Sequence, residues 1–496
     1  MKRNEKTVCC SIVTSAKTMH NIDKVIPTAA RVAVGASSSS SGKRSKKKGG
    51  FSMSSYEYEE PEPMPPVMPP AGKAPWIYVE NSTFGEGFEK LLNSNCFADT
   101  RFLIFDTQEQ IEREIMCHEQ VLACSPSKVI ESLFDEILQA KLDGSIDNIM
   151  KKVNEGRVPG FSSMKLSEDN LFVEIKLSNT ISYLSFMSLL EVLYYGQSKT
   201  LNSKKSDSKF LKQALNTASV FECEYFENMV NNIESGLEEV FNESLGTYLN
   251  DELGKKAKDK FFGKQEHADV KLNFGERSLY GHKLFLSVNC EVFKRMFEGD
   301  FVENASGSMS QVDMAEGQID LTDENQVTMR ISEYQALLEY LYTAHSSIDE
   351  NNAVGLLSLA NQYGMSGLTC MCEIFISKTI DKAVSKGIEK ADIDVIGLLL
   401  LAQTFEANQL AQFCLHFIAS NYGPMSARKE WELLKGDNKK YVEEKKWPPD
   451  SYFKQVAEYE KKHEVYMKKQ KKKQKKESSN NTEVVEDDKK KDCSIQ

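Results

Sequence analysis

Apolar and polar positions alternate with a period of two in FADTRFLIF (97–105) and again in HADVKLNF (267–274), the pattern of a half-buried strand entered through an aspartate. Each run leads to a second short strand that ends at a histidine, His118 or His282. The spacing then changes. CHEQVLACSPSKVIESLF (117–134) and GHKLFLSVNCEVFKRMF (281–297) place Leu, Val or Phe every three or four residues, which predicts amphipathic helices. SLLEVLYYG (188–196) is matched by ALLEYLYTA (336–344), and ALNTASVFECEYF (214–226) by LLSLANQYGMSGL (356–368). Four landmarks recurring in one order mean two copies of one module, each an α+β unit in which helices cap a small sheet.

The copies, 84–235 and 259–382, differ in length. Asp99 and Tyr194 stand 95 positions apart, whereas Asp269 and Tyr342 stand 73 apart. The surplus falls at about 139–170, a polar stretch with Gly and Lys that reads as a surface loop. Residues 383–460 form a further block, mostly helical. Within it, Asp392 to Asn421 predicts two helices joined at Glu406-Ala407-Asn408, apolar nearly all round and so bound to pack on something. Residues 1–75, rich in Ser, Lys, Gly and Pro, and the Lys-rich tail 461–496 are expected to be disordered.

A net charge of −11 argues against a chain whose whole surface tracks nucleic acid. The eleven cysteines are scattered and odd in number, and the seven histidines are isolated, so neither a disulfide framework nor a metal site is expected. Gly35 to Ser45 fails as a phosphate loop: Ser37 stands where its first glycine is needed, and Arg44 follows Lys43 where a hydroxyl is required. The longest apolar run, Val395 to Ala402, is too short to span a membrane, and no signal-peptide core opens the chain. A soluble intracellular chain without cofactor or catalytic centre is the expectation.

The Asp-Val, His, Leu, Phe, Met-Phe, LLEYLYT and LANQYG landmarks resemble those of the BTB (POZ) domain. More narrowly, the order of Pro-rich arm, interrupted first copy, second copy and an end block FCLHFIASNY … NKKYVEEKKWPPDSYFKQVAEYEKKHE is similar to the RhoBTB family over about 76–467. RhoBTB proteins resemble small GTPases at their amino end; the roughly 75 residues here leave no room for such a domain, so nucleotide binding is not carried over.

What the resemblance implies is a protein-interaction adaptor. Asp269 with His282, and Asp99 with His118, match the positions of a buried polar pair, for which structural satisfaction is favoured over any catalytic use. Phe301 and Glu303, after Met296 and Phe297, resemble the hydrophobic-x-Glu motif that docks a cullin-3 scaffold, and Phe134-Asp135-Glu136 is a poorer first-copy counterpart. Trp447-Pro448-Pro449 reads as a helix staple. Nine lysines against one glutamate in Lys461 to Lys476, and a terminal Cys493-Ser494-Ile495-Gln496, fit a prenylated, polybasic anchor. The expected function is substrate recruitment to a cullin-3 ubiquitin ligase, with a client protein as second partner and self-association through the BTB copies. The alternative is a membrane-tethered scaffold for signalling or trafficking.

Overall fold

A computed structural model describes residues 61–79, 81–106, 109–167, 172–298, 309–314, 323–385 and 387–488. The chain divides into two compact units, Pro65–Lys461 and a second made of Met1–Met64 with Lys462–Gln496. Both modules and the helical block lie in the first.

The first module opens with helix α1 (Phe84–Leu91) and the hairpin β1 (Thr100–Asp106) and β2 (Ile111–Cys117). Strand β1 turns Thr100, Phe102 and Ile104 to the core, as its alternation requires. Helices α2 (Glu119–Ala123) and α3 (Lys128–Asp143) follow; the Ser127 hydroxyl caps α3 and Gly144 ends it in the left-handed region at φ 75°. Next come α4 (Ile146–Asn154), β3 (Phe161–Leu166) and β4 (Val173–Leu177), then α5 (Tyr183–Tyr195), α6 (Lys199–Ser203), α7 (Ser208–Val220) and α8 (Glu224–Glu234).

The sheet order is β2-β1-β4-β3, with β1 and β4 parallel and both outer pairs antiparallel. The extra length near 139–170 is therefore not a loop. It is the end of α3, all of α4, and a fourth strand at the edge of the sheet. Asn154 fastens it, its side chain accepting from the Met164 N–H at 2.8 Å and donating to the Met164 carbonyl at 3.2 Å.

The second module repeats the scheme with one strand fewer among the described residues. A 24-residue helix, α9 (Glu238–Phe261), leads to β5 (Val270–Phe274), β6 (Arg277–Gly281), α10 (Lys283–Val288), α11 (Glu291–Glu298), β7 (Ser310–Asp313), α12 (Glu324–Thr343), α13 (Ala353–Gln362) and α14 (Ser366–Val384). Its sheet order is β6-β5-β7, with β5 parallel to β7 as β1 is to β4.

The helical block comprises α15 (Val395–Thr404), α16 (Asn408–Ser420), α17 (Tyr422–Ser426), α18 (Gly436–Lys445) and the start of α19 (Asp450–Asp488). The joint between the two apolar helices falls at 405–407, where Glu406 has φ 55°. One ion-dipole contact fixes the block to the module before it, and another braces the block internally. The buried Glu373 carboxylate accepts the Gln409 and Leu410 N–H groups at the start of α16, both at 3.0 Å. The Arg428 guanidinium donates to the carbonyls of Ile388, Ala391 and Ile393 at 2.6–2.9 Å, holding the turn that precedes α15.

In the second unit, α19 stays helical as far as Asp488, so the expected disorder of the tail does not extend to 461–488. Cys493 lies outside the described residues, as does the arm before residue 61.

Candidate protein-interaction site

Each module is closed by a tyrosine from its later helix that reaches back to the histidine ending its hairpin. Tyr194 on α5 accepts the His118 backbone N–H at 2.8 Å and lies 3.0 Å from Nδ1. Tyr342 on α12 does the same for His282, at 3.1 and 2.7 Å. His118 Nε2 is 2.8 Å from the Cys96 carbonyl, which can only accept; Nε2 therefore carries the hydrogen, and Nδ1 accepts from the tyrosine hydroxyl. Burial holds both imidazoles down at a pKa of about 4, so they are neutral at pH 7.

The aspartates do something else. Asp99 Oδ1 accepts the Glu119 N–H at 2.8 Å and Asp269 Oδ1 the Lys283 N–H at 2.7 Å, capping the short helices α2 and α10. Aspartate and histidine thus each have partners other than one another, contrary to the pairing expected from sequence. Burial raises both aspartate pKa values, and for Asp99 the neighbouring Glu119 charge adds to it. Glu119, itself buried, receives Lys141 Nζ on both oxygens at 2.6 and 2.8 Å.

These buried groups position the surfaces that remain open. On α11, Phe293 and Phe297 turn inward; their rings stack at 5.9 Å, and Phe293 stacks on Tyr363 at 5.0 Å. Phe297 is 1% exposed and cannot serve as a docking side chain, which corrects its assignment from sequence. Met296 is half-buried against the core, while Glu291, Val292 and Arg295 face outward. Phe301 and Glu303 lie outside the described residues. The proposed first-copy counterpart fails on geometry: Phe134-Asp135-Glu136 falls inside α3, with Phe134 buried and both acids ion-paired, to Lys260 and Lys152.

The leading helix of each module touches the other module, an arrangement the sequence did not disclose. Helix α1 packs on α5 of its own module and on α10 of the second, with Phe88 6.3 Å from Phe285. A Cβ on Gly87 would lie 2.5 Å from the Val288 carbonyl oxygen, so only glycine permits that approach. Reciprocally, α9 packs on α12 of its own module and on α2 and α5 of the first. Lys256 and Lys260 from its last turns donate to the Ser125 and Ala123 carbonyls, each at 2.7 Å, where α2 ends, and pair with Glu131 and Asp135.

Among the described residues no group of three or more metal-ligating side chains converges, no helix is long and apolar enough to cross a membrane, and the cysteines form no disulfide. The BTB/POZ domain family matches residues 258–380. The chain is similar to Rho-related BTB domain-containing protein 1 of Mus musculus, 30% identical over 290 residues, covering 58% of this chain and 38% of that protein. It is likewise similar to Rho-related BTB domain-containing protein 3 of Homo sapiens, 29% identical over 202 residues, or 40% and 31% of the two chains. For protein 2 of Mus musculus the figures are 26% over 298 residues, 59% and 38%. Each match spans less than two-fifths of the relative's own length.

Proposed function

We propose that this chain, similar to the Rho-related BTB proteins, is a protein-interaction adaptor that recruits a client to a cullin-3 ubiquitin ligase. The observation that carries this reading is α11. In the BTB-matching segment its aromatic face is spent on the core, its outer face presents Val292 between charged residues, and it runs directly into the segment with Phe301 and Glu303. An apolar anchor beside a carboxylate is a fitting pair for a groove on a scaffold. The first module is read as a second BTB domain, because its Asp99, His118 and Tyr194 repeat the roles of Asp269, His282 and Tyr342. Ligation chemistry would then belong to other subunits, since the conspicuous polar groups here are consumed in holding the fold.

The test is capture by purified cullin-3 amino-terminal domain. The parent chain is retained, and Phe301→Ala or Glu303→Ala lowers retention about tenfold or more, the loss of a hot-spot contact of about 1.4 kcal/mol. Unchanged capture by both variants moves the contact to the first module; no capture of the parent ends the reading.

A second reading is favoured by α19, where the lysines of 461–474 are exposed along a helix, a form suited to an anionic lipid surface. Sedimentation with phosphatidylserine vesicles tests it: binding that disappears at high salt supports it, and no binding at low salt removes it.

A further inference from the structure

Residues 61–79 adopt no helix or strand, yet their exposure is periodic. In PEPMPPVMPP (61–70), Pro63, Pro66 and Pro69 are half-buried while every residue between them is exposed, Met64 at 88% and Val67 at 89%. A period of three is that of a polyproline II ribbon, the conformation that proline's fixed φ favours. Prolines facing inward while Met and Val face water reverses what hydrophobicity alone would choose, so the inward face must be matched to a partner.

Helix α19 shows the complementary stripe. Along an otherwise exposed helix, Tyr452, Val456 and Tyr459 are half-buried, with spacings of four and three; His463, Tyr466 and Gln470 continue the spacing in the second unit. Three and four alternating is one face of a helix. Ribbon and helix are tied where α19 begins: the Trp447 indole N–H donates to the Pro69 carbonyl at 2.9 Å, and the Trp447 backbone N–H donates to the Ala419 carbonyl at 2.9 Å, anchoring that indole to α16. Four residues before α15's partner helix ends, His416 lies against Gly72, and Gln409 exchanges two hydrogen bonds with the Tyr78 backbone, at 2.6 and 3.1 Å. Within the second unit, Glu62 sits 3.6 Å from His463 Nε2.

We propose that Trp447 and the Tyr452, Val456 and Tyr459 face of α19 form a recognition surface for polyproline II segments, whose resident ligand is this chain's own Pro66–Pro69 stretch. Aromatic rings with a donor at one end are what such a segment needs, since its prolines stack on flat faces and its backbone offers only carbonyl acceptors at those positions. The ribbon is tethered to the surface through the fold, so its effective concentration is high and it excludes a free segment of similar affinity. A proline-rich partner would have to displace the arm, and the arm would then become available to other contacts.

The experiment uses the full chain and a fluorescent synthetic peptide of residues 60–72. With Pro66→Gly and Pro69→Gly together, the resident ligand is weakened and the peptide binds at least tenfold more tightly than to the parent chain by fluorescence anisotropy. Adding Tyr452→Ala and Tyr459→Ala abolishes that binding. Thermal melting of both variants within a few degrees of the parent shows that the modules stay folded. Equal binding to the parent and the glycine variant, no binding to either, or binding that survives loss of both tyrosines each overturns the proposal.

Discussion

Tyr194 and Tyr342 each satisfy two buried groups on one histidine, a backbone N–H and a ring nitrogen. Substitution by Phe keeps the ring and its packing but strands both, so Tyr342→Phe should cost about 1–3 kcal/mol, read as a lower urea midpoint with unchanged slope. The histidines also set an acid limb. Their pKa is about 4 when folded against 6.5 as the ordinary value, so the unfolded chain binds protons first as pH falls below 6.5. Their neutral, buried state is fully supported above that pH, and stability is lost between pH 6.5 and 4, by about 1.4 kcal/mol per pH unit per histidine. Asp99, Glu119 and Asp269, with raised pKa values, act with opposite sign in part of this window. The measurement is therefore a difference: His118→Gln with His282→Gln should flatten the fall in melting temperature from pH 7 to pH 5 relative to the parent, and parallel curves would refute it. Lys141 is the cation that Glu119 and Asp99 of the first module both face. Lys141→Met should cost about 3–5 kcal/mol by chemical denaturation, and Glu119→Gln added to it should restore a large part. Sequence showed the aspartate and histidine positions but paired them with each other. Their true partners, backbone N–H groups 20 or 14 positions on and a phenol 76 or 60 positions away, leave no local pattern.

At the scale of elements, the strands that alternate and the helices with regular apolar spacing were legible, including the α15 and α16 pair and the break between them. Helix α4, strand β3 and helix α9 were not. Strand β3 reads FSSMKL, with only Phe161 and Met164 buried, three apart rather than two, because the register shifts between Phe161 and Ser163. Helix α9 buries only a narrow line, Leu249, Leu253, Ala257 and Phe261, and its tightest approaches are made by glycines. A Cβ on Gly246 would lie 2.6 Å from the Gly196 carbonyl oxygen, and one on Gly254 would lie 2.8 Å from Thr343 Cα. Backbone approach of this kind is invisible in a hydropathy pattern. Gly246→Val should therefore loosen α9 from α5 at a cost of about 1–3 kcal/mol, with faster hydrogen exchange in 196–203 and 238–250 and little change in β5 and β6. Uniform loss of protection over both modules would instead mean that α9 is not a separable joint.

For the whole molecule, the exchange of leading helices has a consequence for stoichiometry. Helix α1 covers α10, and α9 covers α2, so the apolar surfaces around Phe88 and Phe285 that could pair two chains are already paired inside one. The two modules pair with each other through these surfaces, and they offer outward faces that differ: one bears the extra strand β3 and α4, the other α11 and the helical block. Such a chain would present two different outward faces per molecule, without the two-fold doubling of a symmetric dimer. Light scattering after size exclusion should give 56.1 kDa at micromolar concentration, a single chain. Phe88→Asp, which drives a charge into the shared interface, should uncover Phe285 and produce a concentration-dependent dimer, because the freed surface of one chain then fits that of another. A parent chain of twice the monomer mass, with the variant monomeric, would show that these helices pair between chains and that the internal exchange is not the state in solution.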